Sequence, residues 1–201
     1  MRTKTINIYQ YSELSEKAKQ KAREWYTGEG FDFSYDSVFD DFAQICDILG
    51  IDLSDSKNNP KIYFSGFDSQ GDGACFNGIY RYKAGAVKAL SEYCNDSELL
   101  DIAKRLQAAQ KTVFYKTRVK ITHSGHYCHY NSMDYEFSND IYPDLDDRSE
   151  SCKAIIECMR DLAKWLYRTL EADYYYQTSD AAVAETIEAN EYEFLESGAI
   201  A

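Results

Sequence analysis

Two runs of alternating residues, separated by a polar break, lie between Val113 and Phe137. They constrain the fold more than any other stretch of the chain. In the first run Val113, Tyr115, Val119 and Ile121 share one side of an extended backbone, and Lys116, Arg118 and Lys120 share the other. In the second run Tyr127, Met133, Tyr135 and Phe137 share a side. A slip of one residue turns every side chain over, so both apolar sets share a face only if paired residue numbers sum to an even value. A three-residue loop, Ser124-Gly125-His126, meets this condition. It sets Tyr115 opposite Tyr135, Val113 opposite Phe137, and Lys116 opposite Asp134 as a favourable charge pair. A two-residue Ser-Gly turn would mix tyrosines with lysines and is rejected.

A hairpin with one apolar face needs a covering layer, and the flanking sequence supplies helices. Thr5–Tyr9 alternates as a short strand. A helix follows from Ser15, with Leu14, Ala18, Ala22 and Trp25 on one stripe, Ser12 or Ser15 as cap, and Gly28 and Gly30 at its end. Asp36–Leu49 is a second helix, with Gly50 as its left-handed stop. Asp52–Pro60 reads as a polar loop, and Lys61–Phe67 and Ala74–Tyr82 read as strands. Helices are expected over Gly85–Tyr93 and Ser97–Gln110, the latter capped by Asp96 or Ser97. Another runs over Asp146–Tyr174, and a last one, capped by Ser179 or Asp180, reaches Ala189. The expected fold is one α+β domain over residues 1–201, with an acidic helical part over about 146–201. Its antiparallel sheet would have about four to five strands, from two hairpins and an N-terminal strand, with helix pairs on one face.

The charge is one-sided. Ile121–Ala201 holds 17 Asp and Glu against 5 Lys and Arg, so the whole net charge of −12 falls there, and Met1–Lys120 is balanced. Such a surface repels nucleic acid and attracts basic partners. Glu185, Glu188, Glu191, Glu193 and Glu196 are the carboxylates expected to meet one, in the manner of a DNA mimic. The first residues carry no apolar run, so no signal peptide is expected, nor a membrane span, and the expected location is the cytoplasm of a host cell. The six cysteines lack C-x-x-C spacing and read as free thiols.

Several constellations are candidate sites. Asp68-Ser69-Gln70-Gly71-Asp72-Gly73 follows the first half of a calcium-binding EF-hand loop, but its twelfth position is Ile79, so turn chemistry is the stronger reading. His123, His126, Cys128 and His129 form a His/Cys cluster. The expected register puts Cys128 on the opposite face from His123 and His129, which argues against four-ligand zinc and leaves a two-His site open. Lys116, Arg118 and Lys120, with Arg81 and Lys83 and the aromatics Phe114 and Tyr130, form a basic stripe expected to pair with acids of the same chain or with solvent. No catalytic motif is complete, and neither cofactor nor metal is expected.

Two resemblances follow from particular residues. Gly71–Phe76 resembles the nucleophile motif of ovarian-tumour-type cysteine proteases, and His129-Tyr130-Asn131-Ser132 resembles that family's histidine motif. This implies Cys75 as nucleophile, His129 as base, and Asp72 with Gly73 near the oxyanion. In that family the cysteine opens a helix, whose dipole lowers the thiol pKa, whereas Cys75 here opens a predicted strand. The run Phe64–Phe76, with Leu14–Lys19, Ser124–Tyr127 and Ala189–Phe194, resembles bacteriophage and plasmid accessory proteins, some of them labelled antitoxin-like. That resemblance implies a mobile-element origin. Together with the charge it leads to the expectation of a non-enzymatic inhibitor of a basic host target, with Asp68, Gln70 and Asp72 as further binding residues. The alternatives are an antitoxin and a Cys75/His129 hydrolase.

Overall fold

The computed structural model describes residues 5–31, 33–53 and 61–201. The predicted polar loop over Asp52–Pro60 lies largely outside them. In chain order the elements are β1 (Tyr9–Gln10), α1 (Glu16–Trp25), α2 (Asp36–Leu49), β2 (Ile51–Asp52), β3 (Ile62–Phe64), β4 (Ala74–Phe76) and β5 (Gly78–Arg81). They continue with α3 (Ala86–Tyr93), α4 (Ser97–Thr112), β6 (Thr117–His123), β7 (Met133–Asn139), α5 (Glu150–Gln177), α6 (Asp180–Ala189) and β8 (Glu193–Phe194). The architecture is α+β and its strand pairs are antiparallel. The chain contacts resolve two compact units, Tyr35–Leu170 and a second made of Met1–Ser34 with Glu171–Ala201.

In the Tyr35–Leu170 unit, β2, β5, β6 and β7 form a four-stranded sheet in that order. Its buried face carries Ile51, Tyr80, Val119 and Ile121, and these share one apolar cluster with Phe42 and Leu49 of α2, Leu90 of α3, Ile102 and Leu106 of α4, and Met159 and Leu162 of α5. The helix ends follow local chemistry. Gly50 closes α2 at φ 86°, where a side chain would also strike the Arg81 carbonyl at 2.2 Å. Asp96 caps α4: one carboxylate oxygen accepts the Glu98 and Leu99 N–H groups at 2.8 and 3.0 Å, and the other accepts the Trp165 indole N–H at 2.9 Å.

The hairpin keeps the even-sum parity, with Ile121 opposite Tyr135 and Val119 opposite Phe137, but its register differs from the expected one. β6 starts at Thr117, and Val113–Lys116 is a turn with left-handed φ at Phe114 (56°) and Tyr115 (59°). The cause is a buried polar knot. Gln110 donates to the Thr117 carbonyl at 2.8 Å and accepts its N–H at 3.3 Å, and Asn139 donates to the Thr117 hydroxyl at 2.9 Å. These bonds make Thr117 the first paired residue. Residues 124–132 then form a longer loop in place of the three-residue turn, with Tyr127 exposed, and Lys120 rather than Lys116 meets a carboxylate, Glu136, at 3.1 Å. The predicted strand Ala74–Tyr82 also divides at Asn77. β4 pairs with β3 in a ribbon of its own, while β5 joins the four-stranded sheet, where Gly78 lets the Asp52 carbonyl approach to 2.8 Å of a would-be Cβ.

In the other unit β1 pairs with β8, Tyr9 opposite Phe194. Its core is Tyr11, Leu14, Ala18, Ala22, Tyr26, Val183, Ile187 and Phe194, with Trp25 edge-on to Phe194 at 5.9 Å. Ser15 and Ser179 cap α1 and α6 through their hydroxyls, each accepting an N–H three residues on at 3.3 Å.

Candidate functional site

The acidic segment divides by partner. From Glu150 to Asp161 of α5 the acids are matched: Glu150 with Lys153 at 2.9 Å, Glu157 with Arg160 at 2.7 Å, and Asp161 with Lys164 and Arg105 at 3.0 and 2.9 Å. From Glu171 onward the pattern changes: among the described residues Asp180 pairs with Arg23 at 3.2 Å, and Glu171 and Asp173 have no ion pair. Val183 and Ile187 bury one side of α6 and turn Glu185 and Glu188 outward; in β8 Phe194 points in and Glu193 out. Glu185, Glu188, Glu191, Glu193 and Glu196 are all exposed, and none has an ion pair among the described residues.

The Asp68–Gly73 turn explains itself locally. Asp72 Oδ2 accepts the Ser69 N–H at 2.7 Å, so this carboxylate closes the turn, with Gly71 at φ 100°. Asp68 and Gln70 are exposed at its tip. Gly73 makes room for the 124–132 loop: a Cβ there would lie 3.0 Å from the Cys128 carbonyl and 2.9 Å from the His129 ring. Ser65 Oγ accepts the Gly73 N–H at 3.2 Å and donates to the Cys128 carbonyl at 3.5 Å.

This approach assembles a thiol–imidazole cluster. Cys75 is fully buried in β4, and its sulfur, that of Cys128 and a ring nitrogen of His123 lie within 4.8 Å of one another. His123 is held by Ser132, whose hydroxyl and carbonyl oxygens lie 3.1 and 3.3 Å from its Nδ1, and its ring rests 5.4 Å from that of Tyr63. His129 turns elsewhere: its ring lies 3.9 Å from that of Tyr130, and its Nδ1 accepts the Asn131 N–H at 3.1 Å. Burial, reinforced by Cys128, pushes the Cys75 thiol up to about 12, only partly opposed by the Ser132 hydroxyl and the His129 backbone. A thiol so held is protonated at neutral pH, the reverse of an activated nucleophile. Burial and then Lys164 lower the His129 imidazole pKa. Spacing did not foretell the pairing of Cys75 with Cys128. The expected register had placed Cys128 on the face away from His123, and the longer loop brings it back. The signal in the sequence is Gly73, a glycine where another backbone passes.

Of the basic stripe, Arg81, Arg118 and Lys120 lie on the exposed face of the sheet, while Lys83 follows β5 and Lys116 sits in the turn before β6. Lys120 and Lys83 pair with Glu136 and Asp47, the latter at 3.0 Å. Arg81 and Arg118 sit opposite each other with no carboxylate partner among the described residues.

No helix among the described residues is long and apolar enough to cross a membrane. Neither the curated proteins nor the solved structures yield a match to this chain. Residues 34–180 match the family described as a domain of unknown function, DUF8835, a span that starts beside α2 and stops where α6 begins. As that match covers well over half of its length, the chain belongs to the DUF8835 family.

Proposed function

We propose that the protein is a non-enzymatic accessory protein of a bacteriophage or other mobile element that binds and inhibits a basic host target, a nucleic-acid-binding defence complex being the target class. The observation that carries this reading is the set of five exposed glutamates, Glu185, Glu188, Glu191, Glu193 and Glu196, which have no cation partner among the described residues while Glu150, Glu157 and Asp161 of α5 are paired. Charge that holds no element in place is free to steer and orient a partner. The fully buried Cys75 thiol and the His129 ring packed on Tyr130 favour binding over hydrolysis. The resemblance of Phe64–Phe76 to phage and plasmid proteins supplies the mobile-element context.

The test is capture from a bacterial lysate, with the wild type compared with a variant carrying all five glutamates as glutamine. The expected result is a nucleic-acid-binding partner held by the wild type, lost from the variant, and released as salt rises, because exposed charges are screened within ~10 Å at 0.1 M salt. Equal capture by both proteins would refute the reading. Loss instead from an Arg81→Gln/Arg118→Gln variant would move the binding surface to the exposed face of the sheet. Rescue of growth on co-expression with a neighbouring toxin gene would point to the antitoxin alternative.

A further inference from the structure

We infer that Cys75, Cys128 and His123 form a zinc site that ties the β3–β4 ribbon to the loop between β6 and β7. Three donors of the right chemistry, from β4, the end of β6 and the 124–132 loop, bring their ligand atoms within 4.8 Å of one another. Bonds of about 2.3 Å to sulfur and 2.0–2.1 Å to nitrogen in a tetrahedron put ligand atoms about 3.5–3.8 Å apart. Small rotations of side chains already facing one another reach that spacing.

The surroundings suit a cation. Two thiolates and a neutral imidazole around Zn²⁺ sum to zero charge, which removes the penalty that burial places on a lone thiolate. The two thiol protons leave to solvent on binding. Ser132 grips the His123 ring, the kind of outer contact that orients a metal-bound imidazole. Ser65 holds the Cys128 carbonyl, and Gly73 lets that segment close in. Both cysteines are free thiols. Cys128 and His123 are only half-buried, which leaves the fourth position to water. The inference concerns the build of the Tyr35–Leu170 unit and stands apart from the proposed acidic binding surface.

The experiment uses the full chain, reduced and stripped of metal, titrated with Zn²⁺ and separately with Co²⁺. Expected are one zinc per chain, a higher Tm with zinc, and a cobalt spectrum with thiolate-to-metal charge transfer and tetrahedral d–d bands. Cys128→Ser and His123→Ala lose stoichiometric zinc and the tetrahedral spectrum, whereas Cys94→Ser, at a cysteine outside the cluster, retains both. Ser132→Ala keeps the spectrum but binds zinc roughly 10–100-fold more weakly. Cys128 is preferred to the buried Cys75 as the variant, because it is only half-buried and packs at the edge of the core. A folded wild type with no charge-transfer band overturns the site, as does zinc uptake unchanged in both Cys128→Ser and His123→Ala. A Cys75–Cys128 disulfide in protein purified without reductant, with no cobalt uptake after reduction, would make the pair a redox couple and also refute it.

Discussion

The Tyr35–Leu170 unit and the unit built from residues 1–34 and 171–201 bury their cores by different means. The first lays aliphatic stripes of four helices over a sheet face and braces the outside with ion pairs between elements, Arg105 to Asp161, Arg168 to Glu98 and Lys83 to Asp47. The second has a small core in which Tyr11, Tyr26 and Phe194, rimmed by Trp25, Phe31 and Tyr192, pack with Leu14, Val183 and Ile187. A small unit buries a lower fraction of its surface and needs large side chains to compensate. Its glutamates Glu185, Glu188, Glu191, Glu193 and Glu196, unlike Glu150, Glu157 and Asp161 of α5, make no ion pair among the described residues. Ion pairs brace several elements of the first unit, whereas in the second Arg23 and Asp180 join α1 to α6 and the C-terminal glutamates are left over.

The sharpest way to break this contrast is Phe194→Ala, expected to cost about 3–5 kcal/mol, the range for emptying a buried aromatic site. Hydrogen exchange should show protection lost in α1 and α6 while α4 stays protected. Equal loss everywhere would mean that the units do not melt separately. Gln110→Ala comes next. It strands the Thr117 N–H and carbonyl in the core, at about 1–3 kcal/mol for each unpaired group. A lowered denaturant midpoint at unchanged m-value is the expected reading. Gly73→Ala should cost about 1–3 kcal/mol by overpacking the Cys128–His129 backbone. A melting temperature equal to the wild type's would show that this contact yields freely.

Asp96→Ala should cost about 1 kcal/mol through loss of the α4 cap. Burial alone would raise this carboxyl, but the Trp165, Leu99 and Glu98 hydrogen bonds and Arg168 hold it below its ordinary value. Its contribution is therefore present above the unfolded pKa of about 3.9 and fades as pH falls through the lower folded value. Wild-type and variant stability curves should converge below about pH 4; curves that stay parallel would show that the charge is not the cause. The smallest effect on stability is expected from glutamine at the five exposed glutamates, about 0.5 kcal/mol or less for each. A large stability loss there would return those charges to a structural role and erase the contrast.

Most helix boundaries were legible because short-range chemistry sets them: Ser15, Asp96 and Ser179 as caps, and Gly50 as a stop. The hairpin parity was legible too, since period-two alternation admits only even sums. Its register was not. Even sums permit a ladder of alternatives two residues apart, and the choice among them rests on Asn139 reaching Thr117 from 22 positions away. The break at Asn77 was hidden for a similar reason, since Gly78 answers to the Asp52 backbone of a strand laid down earlier. The exposed glutamates were found by composition alone, whereas the meeting of Cys75 with Cys128 depends on a loop whose path only the register decides.

The smaller unit draws on two segments far apart in the chain, residues 5–31 and residues from 171 onward. At roughly 5–20 residues per second, the ~150 residues separating α1 from α6 take on the order of ten to thirty seconds to synthesise. Throughout that interval α1 has left the ribosome with Leu14, Ala18, Ala22 and Trp25 uncovered, while the segment that packs Phe42 against Phe76 is already emerging. The early helix is thus a nascent-chain hazard for its own successor. A cell that makes this protein quickly must either shield that stripe or tolerate its wait for Phe194.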